Sequence, residues 1–247
     1  MKPWNPFNRF MELYRSGGLP TSLASLDETN AQQIAFLRSM LRDIRQQREN
    51  GAGGDVPLDE LQAVVFDLET TGFHPQNGDE IISVGAAAVR GPELVEGETM
   101  YSLVNPRRPI PPEIEKLTSI TNEMVKDAPD TAQVLIQFFR FVRDRVLIAH
   151  ASGHDRRFLD IALRRRTGAS LTHRVLDTMM IACKLYPDRL HYTLDDWLDF
   201  YGIERKGRHH ALQDAIMTAR LWSALLGELA SRQVRTLYEM YAFLGRT

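Results

Sequence analysis

The sequence predicts a mixed α/β fold, a sheet covered by helices with a helical extension in front of it. Three observations predict it: apolar strand-like runs come first in the main region, apolar residues at three- and four-residue steps dominate its second half, and short apolar runs interrupt those helical stretches.

The extension is read as residues 1–57, a helix followed by a glycine-rich linker, and the main domain as 58–247. Ser25 to Glu28 carries the pattern of a capping box, which would satisfy free N–H groups at a helix start. Ile34, Leu37, Leu41 and Ile44 then form one apolar stripe, widened by Phe36 and Met40. Gly51 to Gly54 should end that helix. The stripe can pack on its own domain, or serve as a polymerase or homodimer contact.

In the main domain, Ala63–Glu69, Ile81–Val89 and Met100–Val104 read as strands. Val134–Val142 has helical spacing, Val146–His150 is a short buried strand, and Arg156–Arg166 is a helix. Leu176 marks a fifth, short strand. Leu194–Tyr201, Ala211–Leu226 and Val234–Leu244 read as helices.

Composition narrows the class. With 43% hydrophobic and 25% charged residues over 247 positions, the chain is an ordinary globular one. A net charge of −2 provides no overall attraction for nucleic acid, although a local groove needs none. Cys183 is the single cysteine, so no internal disulfide can form, and a reducing, cytoplasmic setting is expected. Met1 to Met11 has no continuous apolar run of the signal-peptide kind, and no segment is apolar over the length a membrane span needs.

The stretch from Val64 to Gly72 is the most informative. Strand side chains alternate, so Val64, Phe66 and Leu68 should enter the core while Asp67 and Glu69 share the other face. Two carboxylates side by side repel unless a cation lies between them. Oxygen ligands favour Mg²⁺ or Mn²⁺. Asp155 begins a helix after a strand and a glycine-containing turn. Alone, it also reads as an acid favoured by the helix dipole. His209 lies just before a helix that carries Asp214 in its first turns. Alone, that pair reads equally well as structural.

Together these segments resemble the DEDDh exonuclease superfamily, which has an RNase H-like fold and includes the proofreading epsilon subunit of bacterial DNA polymerase III, RNase T and oligoribonuclease. The family's Asp-x-Glu-Thr-Thr-Gly stands at Asp67 to Gly72. Its second aspartate, with Phe-Leu three and four positions on, stands at Asp155, Phe158 and Leu159. Its His-x-Ala-x-x-Asp-Ala stands at His209 to Ala215. There are departures. Ala151 and His154 replace the usual Asn and Phe, and Thr118 to Thr121 replaces a common His-Gly-Ile-Thr. A tyrosine at the position of His209 would mark another branch.

The resemblance implies a five-stranded mixed sheet flanked by helices and a metal-dependent 3′→5′ exonuclease. Two divalent ions, Mg²⁺ or Mn²⁺, would lie between Asp67, Glu69, Asp155 and Asp214, with Asp67 bridging. His209 would be the general base, with His210 as rival. Leu68, Thr70 and Thr71 would meet the 3′-terminal nucleotide, and Ile120 and Phe158 would touch its base, although Phe158 equally suits the core. Arg205 to Arg208 would contact phosphates sooner than Arg164 to Arg166, which suit a solvated face. The expected partner is a single-stranded 3′ end, DNA rather than RNA. RNA trimming and a weakly active nucleic-acid-binding polymerase accessory are the alternatives.

Overall fold

The computed structural model describes residues 23–49, 55–190 and 192–245, with residues 23–30 and 47–49 in backbone only. Among them lie five strands and nine helices. A helix α1 (Leu23–Glu49) leads into β1 (Gln62–Thr70), β2 (Ile81–Arg90) and β3 (Glu93–Leu103). Two short helices, α2 (Pro112–Thr118) and α3 (Asn122–Val125), precede α4 (Thr131–Val142) and β4 (Val146–Ala149). Then come α5 (Gly153–Thr167), β5 (Val175–Asp177), α6 (Thr178–Leu185), α7 (Leu194–Phe200), α8 (Ala211–Ser231) and α9 (Leu237–Gly245).

The strands form one sheet in the order β3-β2-β1-β4-β5. β1–β2 and β2–β3 are antiparallel, whereas β1–β4 and β4–β5 are parallel. This is the mixed five-stranded α/β sheet expected. β1 sits at its centre and is covered on both faces. Val64, Phe66 and Leu68 enter one apolar cluster with α1, α4 and α5. Ala63 and Val65 enter the other, with α6, α7 and α8. The predicted alternation is therefore the division between the two cores.

The apolar stripe of α1 packs on the domain itself. Leu37 and Leu41 are buried against the cluster of α4 and α5, with Ile34 and Met40 beside them. Arg38 donates a hydrogen bond to the Thr167 carbonyl at the end of α5. The faces at Gln32, Arg42 and Asp43 stay exposed. The helix begins at Leu23, ahead of the predicted start. The side chains of the capping-box pattern, the Gly51–Gly54 linker and the first residues from Met1 to Met11 lie outside the described residues.

Several boundaries differ from expectation for local reasons. β3 begins at Glu93 rather than Met100, because its first half is an exposed, polar edge without apolar alternation. α4 begins at Thr131, where Asp130 and Gln133 form a reciprocal capping box. α8 runs on to Ser231, and α9 starts only at Leu237. Val234 to Thr236 instead forms a connection that bonds back to the chain near Pro57 and Leu58. The short helices α2, α3 and α6 give too little periodicity to be anticipated. No helix among the described residues is long and apolar enough to cross a membrane.

Candidate active site

The parallel pairing of β1 with β4 brings two strand ends to one end of the sheet, and the start of α8 arrives there as well. Asp67 and Glu69 lie on the β1 face that looks toward α8. On that face, Asp67 is the register partner of Gly85 on β2. A side chain at Gly85 would collide with the backbone of Ala211 and Leu212, so its absence is what lets α8 land on the sheet. The landing places Asp214 beside the two strand acids.

Carboxylate oxygens of Asp67, Glu69 and Asp214 lie within 4.8 Å of one another. Glu69 and Asp214 are buried. Asp155, in the first turn of α5, is buried too. It stands outside that closest trio, but its charge is the largest electrostatic influence of another residue on Asp67. The four sequence-predicted acids thus converge, three tightly and the fourth from the α5 side.

Crowding dictates the electrostatics. Asp67 holds its proton far more tightly than a free aspartate, through burial first and the charges of Asp155, Glu69 and Asp214 next. Burial lifts Glu69 to about 7, with Asp214 adding to the rise and Arg208 opposing it. Burial lifts Asp155 to about 8, against its own backbone N–H and that of Leu68. Asp214 is raised by burial and restrained by Arg208 and by His209. Arg208 is the cation that opposes the rise at Asp67, Glu69 and Asp214.

His209 has φ of +62°, a left-handed conformation uncommon outside glycine. Its backbone N–H donates to Asp214 Oδ2 at 2.9 Å. His209 lines a groove of about 480 Å³ together with Asp67, Glu69 and Asp214. His210 turns elsewhere: it is absent from that lining and stacks on Tyr101 of β3, ring centroids 4.3 Å apart. The geometry separates the two histidines that sequence spacing left as rivals.

Leu68 lines the groove. Thr70 and Thr71 lie outside its lining and are buried. Thr70 bonds its hydroxyl to the Gly72 carbonyl, and Thr71 approaches Asp79. Ile120 and Phe158 are also outside the groove lining. Ile120, 4% exposed, belongs to an apolar cluster with Ile82, and Phe158, 2% exposed, to the core of α4 and α5. For Phe158 this is the core role its helix spacing already allowed. His154, where the family has Phe, packs between Phe73 and Phe158. Ala151, where the family has Asn, sits at φ +52° and donates its N–H to Asp177 Oδ1.

The basic groups sort by partner. Arg164 pairs with Asp160, and Arg165 and Arg166 with Glu80, so that run is a solvated, paired face. Arg205 reaches Asp195 and Asp199. Arg208 bridges Asp195 Oδ1 at 2.7 Å and Asp214 Oδ1. Sequence reasoning missed this bridge. It also missed His150, Met179 and Tyr192, which line the same groove. His150 bonds Thr178 Oγ1 and the Tyr192 carbonyl, each at 3.0 Å. Of these, only His150 lay near a motif, five residues before Asp155; Met179 and Tyr192 carried no such signal.

Residues 64–222 match the exonuclease family of RNase T. The chain is 36% identical over 185 residues to a PolC-type DNA polymerase III of Caldanaerobacter subterraneus, covering 75% of this chain and 13% of that one. It is 35% identical over 166 residues to the DNA polymerase III epsilon subunit of Aquifex aeolicus, covering 67% and 81%. The first curated relatives are much longer, and the chain spans between 12% and 27% of their length. Among solved structures, exonuclease X in complex with 5′ overhanging duplex DNA superposes with a TM-score of 0.55 at 23% identity, covering 74% of this chain and 99% of that one.

Proposed function

Because this chain belongs to the RNase T exonuclease family, we propose that it is a 3′→5′ exonuclease that removes nucleoside 5′-monophosphates from DNA. The observation that carries the reading is the meeting of Asp67, Glu69 and Asp214 within 4.8 Å in a groove that His209 also lines. The family membership supports the reaction class. The polymer is inferred from the epsilon subunits among the relatives and from the DNA-bound neighbour.

The donor set suits divalent cations. All of its donors are carboxylate oxygens, which prefer hard ions such as Mg²⁺ or Mn²⁺. Burial and mutual repulsion raise the proton affinity of these acids, and a bound cation would offset both. Asp67, Glu69 and Asp214 would hold one ion, and Asp67 with Asp155 a second. Bound there, the ions would activate water and offset charge on the attacking and leaving oxygens.

The protein groups supply the rest. His209 would accept the proton of the attacking water, with its backbone fixed by the bond to Asp214. Leu68, which lines the groove, would meet the terminal nucleotide; Thr70, Thr71, Ile120 and Phe158 lie outside that lining, and Phe158 shares the apolar cluster of Leu68. Polymerase association is supported by the relatives' identity as polymerase III subunits. With the apolar stripe of α1 spent on its own domain, such a contact would use a different surface.

The test is a degradation assay on 5′-labelled single-stranded DNA and RNA, with Mg²⁺, with Mn²⁺ and with EDTA. Stepwise shortening of DNA that needs metal and vanishes in Asp67→Ala is expected. Cleavage that survives both EDTA and Asp67→Ala overturns the proposal, and preferential shortening of RNA overturns its choice of polymer.

A further inference from the structure

Arg208 stands on the rim of the acidic cluster and is shared between two acids of different kinds. Its Nε donates to Asp195 Oδ1 at 2.7 Å, an acid in the first turn of α7 and outside the metal-binding trio. Its Nη1 donates to Asp214 Oδ1, inside the trio. The other Asp214 oxygen takes the His209 N–H. The Arg208 side chain is 24% exposed and lines the groove, so its outer N–H groups border the space a substrate would enter. Its positive charge also reaches Asp67 and Glu69, whose proton affinity it lowers.

A guanidinium bound to Asp214 and a divalent ion held by the same carboxylate repel each other at short range. The fork geometry offers a way out. Five N–H donors let Arg208 keep Asp195 through one edge while the other edge changes partner. Asp195 and Arg205 are themselves linked on the α7 side, which keeps the anchor in place. A phosphodiester oxygen is the anion that a substrate would bring into the groove.

We propose that Arg208 is an exchangeable counter-cation: it neutralises Asp214 before metal arrives, yields Asp214 to the metal, and then binds a phosphate oxygen of the substrate while Asp195 holds it in the groove. The inference rests on the nuclease reading above and adds a positioning residue to it.

Mn²⁺ titration of the full chain, read by electron paramagnetic resonance of the free ion, tests the first half. Arg208→Gln is expected to bind Mn²⁺ roughly threefold tighter or more, as a competing charge is gone. Its metal-free Tm should fall, because the acids lose their neutralising partner. Arg208→Lys, which keeps the charge, should bind Mn²⁺ as the wild type does. Asp195→Ala tests the second half, with deoxyadenosine monophosphate as the probe and calorimetry as the readout. It should weaken nucleotide binding to the Mn²⁺-loaded protein about fivefold or more, the scale of a lost charge-assisted contact. Circular dichroism checks that each variant is folded. Equal or weaker Mn²⁺ binding by Arg208→Gln, or unchanged nucleotide binding by Asp195→Ala, overturns the inference and leaves the nuclease reading standing. A wild-type chain that binds no Mn²⁺ overturns both.

Discussion

Asp67 and Gly85 stand opposite each other on β1 and β2, and the space a Gly85 side chain would fill holds the backbone of Ala211 and Leu212. A Cβ there would lie 2.1 Å from that backbone. Gly85→Ala should therefore cost about 1–3 kcal/mol, the range for an overpacked core. It should also lower kcat by about tenfold or more, since small displacements of a reacting group are expensive. Denaturant melts and steady-state rates check both. An unchanged kcat would remove the landing of α8 as the device that positions Asp214.

Asp67→Asn keeps the shape and removes one of the four mutually repelling charges. Activity should drop at least about 10²-fold, as for other losses of a preorganised electrostatic group. The metal-free protein should become more stable at pH 8, because a buried acid whose proton affinity is raised by burial and by its neighbours no longer opposes folding there. Thermal melts in EDTA measure that gain. A metal-free variant less stable than the wild type would mean that Asp67 is held by partners rather than opposed by neighbours.

The pH dependence has a definite sign. Glu69 rises from 4.5 to about 7 and Asp155 from 3.8 to about 8, so the folded protein binds more protons than the unfolded chain between those limits. Stability of the metal-free protein is then greatest below pH 4 or so on account of these two groups, and declines as pH rises toward about 8. Protons and metal compete for the same oxygens. The Tm increase caused by Mg²⁺ should consequently be larger at pH 8 than at pH 6. Equal increases at both values would show that these carboxylates do not take part in metal binding.

His209→Asn is the informative base variant, because asparagine tolerates the left-handed backbone that His209 adopts. The rate should fall about 10²- to 10⁴-fold, the contribution of general base catalysis, with Tm little changed. His210→Ala should lose only the stack on Tyr101, about 1 kcal/mol of stability. If His210→Ala has the larger effect on rate, the two roles are exchanged.

Leu37→Ala or Leu41→Ala should each cost about 2–5 kcal/mol, as for buried leucines elsewhere. Urea melts measure it. Variants as stable as the parent would show that α1 is not part of the domain's core.

The strand acids were readable because β1 obeys one simple rule: alternate side chains divide between two cores, and Asp67 and Glu69 continue the face of Ala63 and Val65. Asp155 and Asp214 needed the motif, since a helix-start acid looks the same whether or not a strand end lies opposite. Arg208 was visible as a basic residue next to His209, but its pairing depends on where α7 sits, which no spacing encodes. Gly85 carried no signal in an alanine-rich strand until α8 was seen to cross it. Ile120 shows the opposite case: an apolar residue beside a motif reads as a contact, and its burial with Ile82 and Ile114 depends on where α2 packs; Phe158, whose spacing allowed either role, is buried with α4 and α5.

The central pairing of the sheet has a kinetic consequence. Val65 and Ile148 are register partners in parallel strands, separated along the chain by β2, β3 and three helices. Contacts between such distant positions form late and slowly, because long loops must close before they are rewarded. The groove needs that pairing and the later arrival of α8 as well. In refolding, helical signal should therefore return before the first molecule can bind a metal ion, and the recovery of Mn²⁺ binding would time the closing of the sheet.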